Sequence, residues 1–115
     1  MLTRTLNDAE LVARNGIRFQ ALQLFGPEEL STLGFGWAVV APGGRTSGHS
    51  HPEPECYVVI KGSGTLRVDD DSAPVTAGQA VFVPSGAHHR IANTGDGDLV
   101  YLAIYWHPEL ERLSL

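Results

Sequence analysis

Apolar and polar residues alternate in short runs along most of this chain, and segments rich in glycine, proline or aspartate separate the runs. Alternation with a period of two is the pattern of a strand that buries one face. Short strands joined by such turns are typical of a β-sandwich or a β-barrel. The pattern therefore predicts an all-β fold, with strands at Ile17–Phe25, Phe35–Val40, Glu55–Lys61, Thr65–Val68, Ala80–Val83, His88–Asn93 and Leu99–Trp106.

One short helix is predicted before the first strand. Asn7 can cap the free backbone N–H groups of a first turn, and Glu10 follows at the spacing of a capping box. A left-handed helix end is easily formed at Asn15–Gly16, so the helix is expected to stop there. The other segment with a helical period is Pro108–Leu113, near the end of the chain.

Length, composition and charge limit the classes of protein to consider. The 115 residues show no linker, so residues 1–115 are expected to form a single domain. Apolar residues make up 43% and charged residues 18%, which is neither a disordered nor a membrane composition. The net charge of -5 argues against a nucleic-acid partner and, more weakly, against an anionic membrane surface.

The single cysteine and the N-terminus bear on the compartment. Cys56 has no cysteine to pair with in the chain, so an internal disulfide is excluded. The N-terminus lacks the apolar run of a signal peptide, and no segment has the length and apolarity of a membrane span. A cytoplasmic location is therefore expected, without a membrane partner.

The most informative segment carries His49, His51 and Glu55. Residues i and i+2 of an extended chain project to the same side, so the two imidazoles can face one point. Pro52 and Pro54 bend the chain, because proline cannot donate to a strand ladder, and the bend can return Glu55 to that point. Two histidines and a carboxylate resemble the ligand set of non-haem iron and also suit manganese, nickel, cobalt or zinc.

A second segment, Pro84–His89, offers a further histidine ligand. Because side chains alternate along a strand, one of His88 and His89 must point inward and the other outward. Spacing within the segment leaves that choice open.

Both segments resemble the two motifs of the cupin superfamily. The first motif, G-x5-H-x-H-x3,4-E-x6-G, fits Gly43–Gly62, and the second, G-x5-P-x-G-x2-H-x3-N, fits Gly78–Asn93, with every interval kept. The resemblance implies a double-stranded β-helix, or jelly-roll barrel, that binds one divalent metal ion. It also implies that His89, not His88, completes a ligand set of His49, His51, Glu55 and His89.

Such a site leaves positions of an octahedral ion open, which fits two kinds of enzyme. One is a dioxygenase, in which the ion binds a small substrate and O2 together. The other is an isomerase or lyase, in which the ion polarises a carbonyl. The alternative is a binding or sensing module without turnover. The resemblance also allows an accessory to a biosynthetic partner, as in nitrogen–nitrogen bond formation beside a tRNA-synthetase-like protein.

Strand phase selects candidate pocket residues around the metal. Tyr57 and Val59 share the inward face of Glu55, so Tyr57 is the candidate catalytic residue, while Cys56 points outward. Apolar lining is predicted from Val81, Val83 and Ile91. Phase does not settle the orientation of the large aromatic residues Trp37, Tyr101, Tyr105 and Trp106.

The basic residues near the motifs are assigned to the surface. Arg90 alternates with His89 and so faces away from the metal. Arg45 lies in the loop before His49, where it could reach a substrate carboxylate, although a surface role is favoured. Glu53 is expected to be a solvated loop carboxylate, and the less favoured alternative is a metal ligand that replaces Glu55 if Glu55 swings away.

A homodimer is expected, since a barrel of this size leaves an open sheet edge that a second copy can cover. The segment Ile17–Phe25 is the candidate for that pairing.

Overall fold

The fold is known from a computed structural model, which describes residues 3–22 and 33–109. The end of the first predicted strand and most of the predicted C-terminal helix, at residues 23–25 and 110–113, lie outside the described residues. The described residues form nine strands: β1 Val12–Arg14, β2 Ile17–Leu22, β3 Leu33–Val40, β4 Glu55–Lys61, β5 Ser63–Val68, β6 Asp71–Thr76, β7 Ala80–Val83, β8 His89–Asn93 and β9 Leu99–Trp106.

The strands form two antiparallel sheets around one core. Six strands lie in the order β1-β2-β3-β9-β4-β7, and three in the order β6-β5-β8. Both sheets contribute to one hydrophobic cluster, with Val40, Val59 and Tyr101 from the larger sheet and Leu66 and Ile91 from the smaller. Burying one face of each sheet against the other satisfies the apolar half of each alternating strand. The all-β prediction is confirmed.

Strand β4 shows how the alternating pattern places the site. Glu55, Tyr57 and Val59 are buried, whereas Cys56 is half-buried and Ile60 is exposed. The predicted inward and outward faces of this strand are confirmed. A carboxylate and a phenol are thereby directed into the space between the sheets.

The predicted N-terminal helix is a single 3-10 turn at Asp8–Glu10. Asn7 caps it as expected, because its side chain accepts a hydrogen bond from the Ala9 N–H at 3.0 Å. In a capping box, the Glu10 side chain would accept a hydrogen bond from the Asn7 N–H. Here Gln20 Oε1 accepts from the Asn7 N–H instead, and Gln20 Nε2 donates to the Glu10 side chain. These tertiary hydrogen bonds tie the turn to β2.

The predicted helix end at Asn15–Gly16 is wrong, since this pair is the turn of a β-hairpin. Asn15 has φ 51° and Gly16 has φ 84°, and the flanking residues pair in the register Arg14 with Ile17. Two central residues with positive φ match the right-handed twist of the flanking strands. Asn and Gly adopt positive φ readily, and both a helix end and a hairpin turn need positive φ. The Asn15–Gly16 dipeptide alone therefore did not distinguish the two structures.

The edges of the larger sheet differ from the prediction. Strand β2 pairs with β1 on one side and β3 on the other, so Ile17–Leu22 is not an open edge. Among the described residues, the outer strands of this sheet are β1 and β7. The reason is the hairpin, which adds a strand where a helix was expected.

Candidate metal centre

The two motif segments meet through their main chains at two of the predicted ligands. His49 donates its N–H to the His89 carbonyl at 3.2 Å, and His89 donates to the His49 carbonyl at 2.9 Å. The bend after His51 is also tied down, because Gly86 N–H donates to the His51 carbonyl at 2.9 Å. Residues distant in sequence are therefore held side by side by backbone hydrogen bonds.

Four side chains converge at this junction. One ligand atom from each lies within 4.8 Å of the others, and the four residues are His49, His51, Glu55 and His89. The ring centroids of His49 and His89 are 4.5 Å apart, and those of His51 and His89 are 4.9 Å apart. This is the set that the resemblance implies, and its donors match those that divalent transition metals prefer.

Two of the imidazoles are oriented by backbone carbonyls. His49 Nδ1 lies 3.0 Å from the Ser47 carbonyl oxygen, and His89 Nδ1 lies 2.9 Å from the Ala87 carbonyl oxygen. A carbonyl can only accept, so Nδ1 carries the proton in both rings. The Nε2 lone pair of each ring is left for a metal ion, as is usual for metal-binding histidines.

The buried polar atoms of the cluster show that these residues fit a metal ion. Among the described residues, His89 Nε2 and His51 Nδ1 are buried without a hydrogen-bond partner. The Glu55 side chain is also buried, and His89 is only 1% exposed. The nearest partners of the two nitrogens are carboxylates at longer range, with Glu55 3.4 Å from His89 Nε2 and Glu53 3.5 Å from His51 Nδ1. Burying imidazole nitrogens and a carboxylate without full hydrogen bonding is costly. A divalent cation would use a lone pair of His89 and offset the charge of Glu55.

The electrostatic environment of His89 is dominated by two opposing effects. Burial lowers the pKa of its imidazole, but the adjacent Glu55 carboxylate and the hydrogen bond to Ala87 raise it by more. The pKa of His89 is therefore raised overall. The cluster attracts positive charge, which a proton or a metal ion can supply.

The cluster opens on a cavity of about 360 Å³. This volume lies near the lower end of the range for small-molecule sites. The wall combines three hydrogen-bonding tyrosines with charged and apolar side chains, and the lining residues used below are Arg14, Phe19, Glu53, Tyr57, Tyr101 and Tyr105. Tyr57 is thus placed on the wall of the metal cavity.

Two of these tyrosines keep their protons. Burial, with the neighbouring Tyr101 and the Glu55 carboxylate, raises the pKa of Tyr57 far above its usual range. Burial and Glu55 also raise the pKa of Tyr101, although Arg14 partly opposes this. Both hydroxyls are therefore neutral at physiological pH and can donate hydrogen bonds into the cavity.

His88 points away from the cluster. Its side chain is exposed, and its backbone N–H donates to Asp69 Oδ1 at 3.0 Å on the outer surface. Arg90 lines the same outer surface, and Arg45 is exposed. The surface assignments of His88, Arg45 and Arg90 are confirmed. Glu53 differs from its assignment, because it is half-buried, lines the cavity and lies 3.5 Å from His51 Nδ1.

The predicted apolar lining belongs to the core instead. Val83 and Ile91 are fully buried in the hydrophobic cluster, and Val81 packs against it. None of the three is among the described residues that line the cavity. Of the aromatic residues left open, Tyr101 and Tyr105 line the cavity, whereas Trp106 stacks on Phe82, an exposed residue of the outer face. Trp37 alternates with the buried Gly36 and Ala38.

Sequence reasoning missed Arg14 and the hairpin that carries it. Arg14 ends β1, directly before the Asn15–Gly16 turn, and lines the cavity. The available signal was the Asn-Gly dipeptide, which is favoured in the two-residue turn of a β-hairpin.

Comparison with known proteins agrees with this fold. The family described as "Cupin domain" matches residues 36–105. A cupin 2 conserved barrel domain protein from Salinispora arenicola superposes with a TM-score of 0.82 and 31% identity, over 97% of this chain and 94% of that chain. The chain therefore belongs to the cupin family, and its fold is the cupin jelly-roll barrel.

Two curated relatives carry names that describe ligands or reactions. The oxalate-binding protein of Thermotoga maritima is 38% identical over 64 residues, covering 55% of this chain and 53% of that protein. The glucose-6-phosphate isomerase of Thermococcus onnurineus is 33% identical over 110 residues, covering 84% of this chain and 58% of that protein. The chain thus spans about half the length of the curated relatives it matches.

The described part of the chain contains no helix with the length and apolarity needed to cross a membrane.

Proposed function

We propose that this cupin is a metal-dependent enzyme that acts on a small polar organic molecule. The observation that carries the proposal is the opening of the three-histidine, one-glutamate cluster onto a cavity of about 360 Å³ lined by tyrosines. A divalent ion bound there would supply Lewis-acid or redox chemistry, with iron, zinc, manganese, nickel and cobalt as the candidates. A buried structural metal would need no such cavity.

The side chains of the wall have roles that follow from their protonation and position. Tyr57 is the proposed catalytic residue, since its neutral hydroxyl can donate to a substrate oxygen that gains negative charge. Tyr101 offers a second neutral donor, and its ring lies 4.6 Å from that of Tyr57 between centroids. Two adjacent phenols in a partly enclosed cavity can orient a substrate and limit access of water.

The named relatives support a small oxygen-rich substrate. One is called an isomerase of glucose 6-phosphate, and another is called an oxalate-binding protein. Both names describe molecules with several oxygen atoms close together. Such molecules suit a hard or borderline divalent ion and phenol donors.

Metal identity and oxygen consumption separate the two proposed reaction classes. The protein is purified without added metal, analysed for its elements, and tested with candidate hydroxy acids and sugar phosphates. Iron together with substrate-dependent O2 consumption is expected for a dioxygenase. Zinc, manganese, nickel or cobalt with substrate conversion but no O2 consumption is expected for an isomerase or lyase. Metal-replete protein that binds these molecules without converting any of them would contradict the enzyme proposal.

That last outcome describes the second candidate, a binding or sensing module. The name of the oxalate-binding relative favours it. An accessory role beside a biosynthetic enzyme belongs to the same class, because the cupin would then bind metal and ligand without turnover of its own. Conversion by the isolated chain would rule out this second candidate.

A further inference from the structure

We propose that Arg14 binds an oxyanion, a carboxylate or a phosphate, of the molecule that occupies the metal cavity. The substrate class is therefore small organic anions. This inference rests on the proposed function, because it assigns the second attachment point of a molecule whose first attachment point is the metal.

Backbone hydrogen bonds hold the turn that follows Arg14 close to the metal cluster. The carbonyl of Asn15, the next residue, accepts a hydrogen bond from Ser47 N–H at 2.8 Å. The Ser47 carbonyl in turn lies 3.0 Å from His49 Nδ1. Two hydrogen bonds thus connect the hairpin turn to the ring of a proposed metal ligand.

Close packing of the turn strengthens this connection. A Cβ atom at Gly16 would lie 2.6 Å from the carbonyl oxygen of Arg45, so the hairpin turn rests directly against the loop that leads to His49. The absence of a side chain at Gly16 permits this approach. Arg14 is therefore presented from a firmly held turn, although β1 is an outer strand.

The Arg14 guanidinium lies over the ring of Phe19. The guanidinium carbon lies 4.7 Å from the centroid of the Phe19 ring, and Phe19 is a buried residue that also lines the cavity. A cation over a ring face is stabilised by the electrostatic field of the ring. A guanidinium carries five N–H donors in a planar fork, so contact with the ring still leaves donors for a two-pronged contact with an oxyanion.

The charges of the cavity favour an anion once a metal ion is bound. Among the described lining residues, Arg14 is the one arginine or lysine, and Glu53 and Glu55 are the carboxylates. Without an ion the carboxylates outnumber the cation. A divalent ion beside Glu55 reverses the balance, so the ion and Arg14 together attract negative charge in a protein whose net charge is -5.

The test measures binding of simple probes to zinc-loaded protein by titration calorimetry. Glycolate and inorganic phosphate are the anionic probes, and glycolamide is the neutral counterpart of glycolate. Arg14→Gln is compared with the wild type and with Arg18→Gln, a control that removes an exposed arginine of the same hairpin outside the described lining of the cavity. Zinc content is measured before and after each titration.

Arg14→Gln is expected to weaken binding of glycolate, phosphate or both by about tenfold or more, since a charge-assisted contact is lost. Glycolamide binding and zinc content should not change, and Arg18→Gln should behave as the wild type. If the affinity for only one of the two anions falls, that anion carries the type of oxyanion that Arg14 binds.

Equal anion binding by Arg14→Gln and the wild type, at full zinc content, would overturn this inference and leave the proposed function standing. An equal loss of affinity for glycolate and glycolamide, or loss of zinc from the variant, would also overturn it. Arg14 would then support the structure of the site without recognising the charge of the ligand. Failure of the wild type to take up any metal would overturn both proposals.

Discussion

Adjacent histidines in this chain have opposite environments. His89 is 1% exposed and faces the cluster, whereas His88 is exposed and faces solvent. Alternation along the strand required such a difference but did not say which residue turns inward, because the phase depends on where β8 begins. The spacing from Gly86 to His89 in the second motif supplied that phase. The ligand cluster was thus predictable, but only with the family resemblance added.

At the residue scale, Tyr57 and Tyr101 are expected to stay protonated in the folded protein to unusually high pH. Burial disfavours the charged phenolate and raises both pKa values. An alkaline titration that follows tyrosinate absorbance should therefore show no signal from either residue before the protein unfolds. The matched variants are Tyr57→Phe and Tyr101→Phe.

The same shifts have a consequence for stability. The unfolded phenols ionise near pH 10, whereas the folded phenols hold their protons above it, so stability is retained below that pH and falls as pH rises beyond it. Tyr57→Phe should lose less stability between neutral and alkaline pH than the wild type. If either variant gave less tyrosinate absorbance than the wild type while both proteins were still folded, the replaced tyrosine would ionise in the folded protein, and the prediction would be wrong.

At the scale of elements, the sequence predicted the central strands correctly but not the N-terminal hairpin of β1 and β2. Strand β4 and strand β9 begin and end where alternation predicted, because their buried faces repeat every second residue. The hairpin at Val12–Arg14 is too short to show a period, and its turn residues also suit a helix end. Strand β6 was not among the predicted strands, since its exposed, proline-containing sequence shows no buried face apart from Val75.

Arg14 was unpredictable for a related reason. Its place in the cavity follows from the pairing of β1 with β2 and from the contact between the turn and the loop before His49. Such long-range contacts leave no period in the sequence. An Asn-Gly turn signals that a hairpin forms, but not which distant loop the hairpin packs against.

The hairpin turn is expected to be sensitive to one added methyl group. Gly16→Ala should lower the free energy of unfolding by about 2–3 kcal/mol, because it combines positive φ with a Cβ 2.6 Å from the Arg45 carbonyl. Gly43→Ala is the matched control, with φ +77° and no atom within 4 Å of the new Cβ. It should cost about 1 kcal/mol. Denaturant unfolding measures both, and equal losses would mean that the turn does not pack tightly on the loop.

At the scale of the whole molecule, the cluster joins the two sheets. Glu55 begins β4 of the six-stranded sheet, and His89 begins β8 of the three-stranded sheet. A metal ion held by both would link the two layers at the open end of the core. Binding of metal should therefore stabilise the fold as a unit and not only order one loop.

Metal binding is expected to raise the melting temperature. At free zinc one hundred times the dissociation constant, the gain is about 2.7 kcal/mol, or about 10 °C for a domain of this size. Addition of a chelator should reverse it. His88→Ala should respond as the wild type does. If zinc raised the melting temperature of His89→Ala as much as that of the wild type, the stabilising metal ion would be bound outside this cluster.

We also propose that the protein is a homodimer. The strands that a second copy would cover are the outer strands of the larger sheet, β1 or β7, and not β2. Val12 on β1 and Phe82 on β7 are large, exposed apolar residues at these two edges. Light scattering coupled to size exclusion should give twice the mass of one chain. A mass equal to one chain at micromolar concentration would end the dimer proposal.

The central claim is that His49, His51, Glu55 and His89 hold one divalent metal ion, and metal content per chain tests it most directly. Wild type, His49→Ala, His89→Ala and His88→Ala are purified in parallel without added metal, confirmed as folded, and analysed for their elements. The account predicts about one ion per chain in the wild type and in His88→Ala, and about one tenth of that or less in the two ligand variants. Full metal content in both His49→Ala and His89→Ala would contradict it.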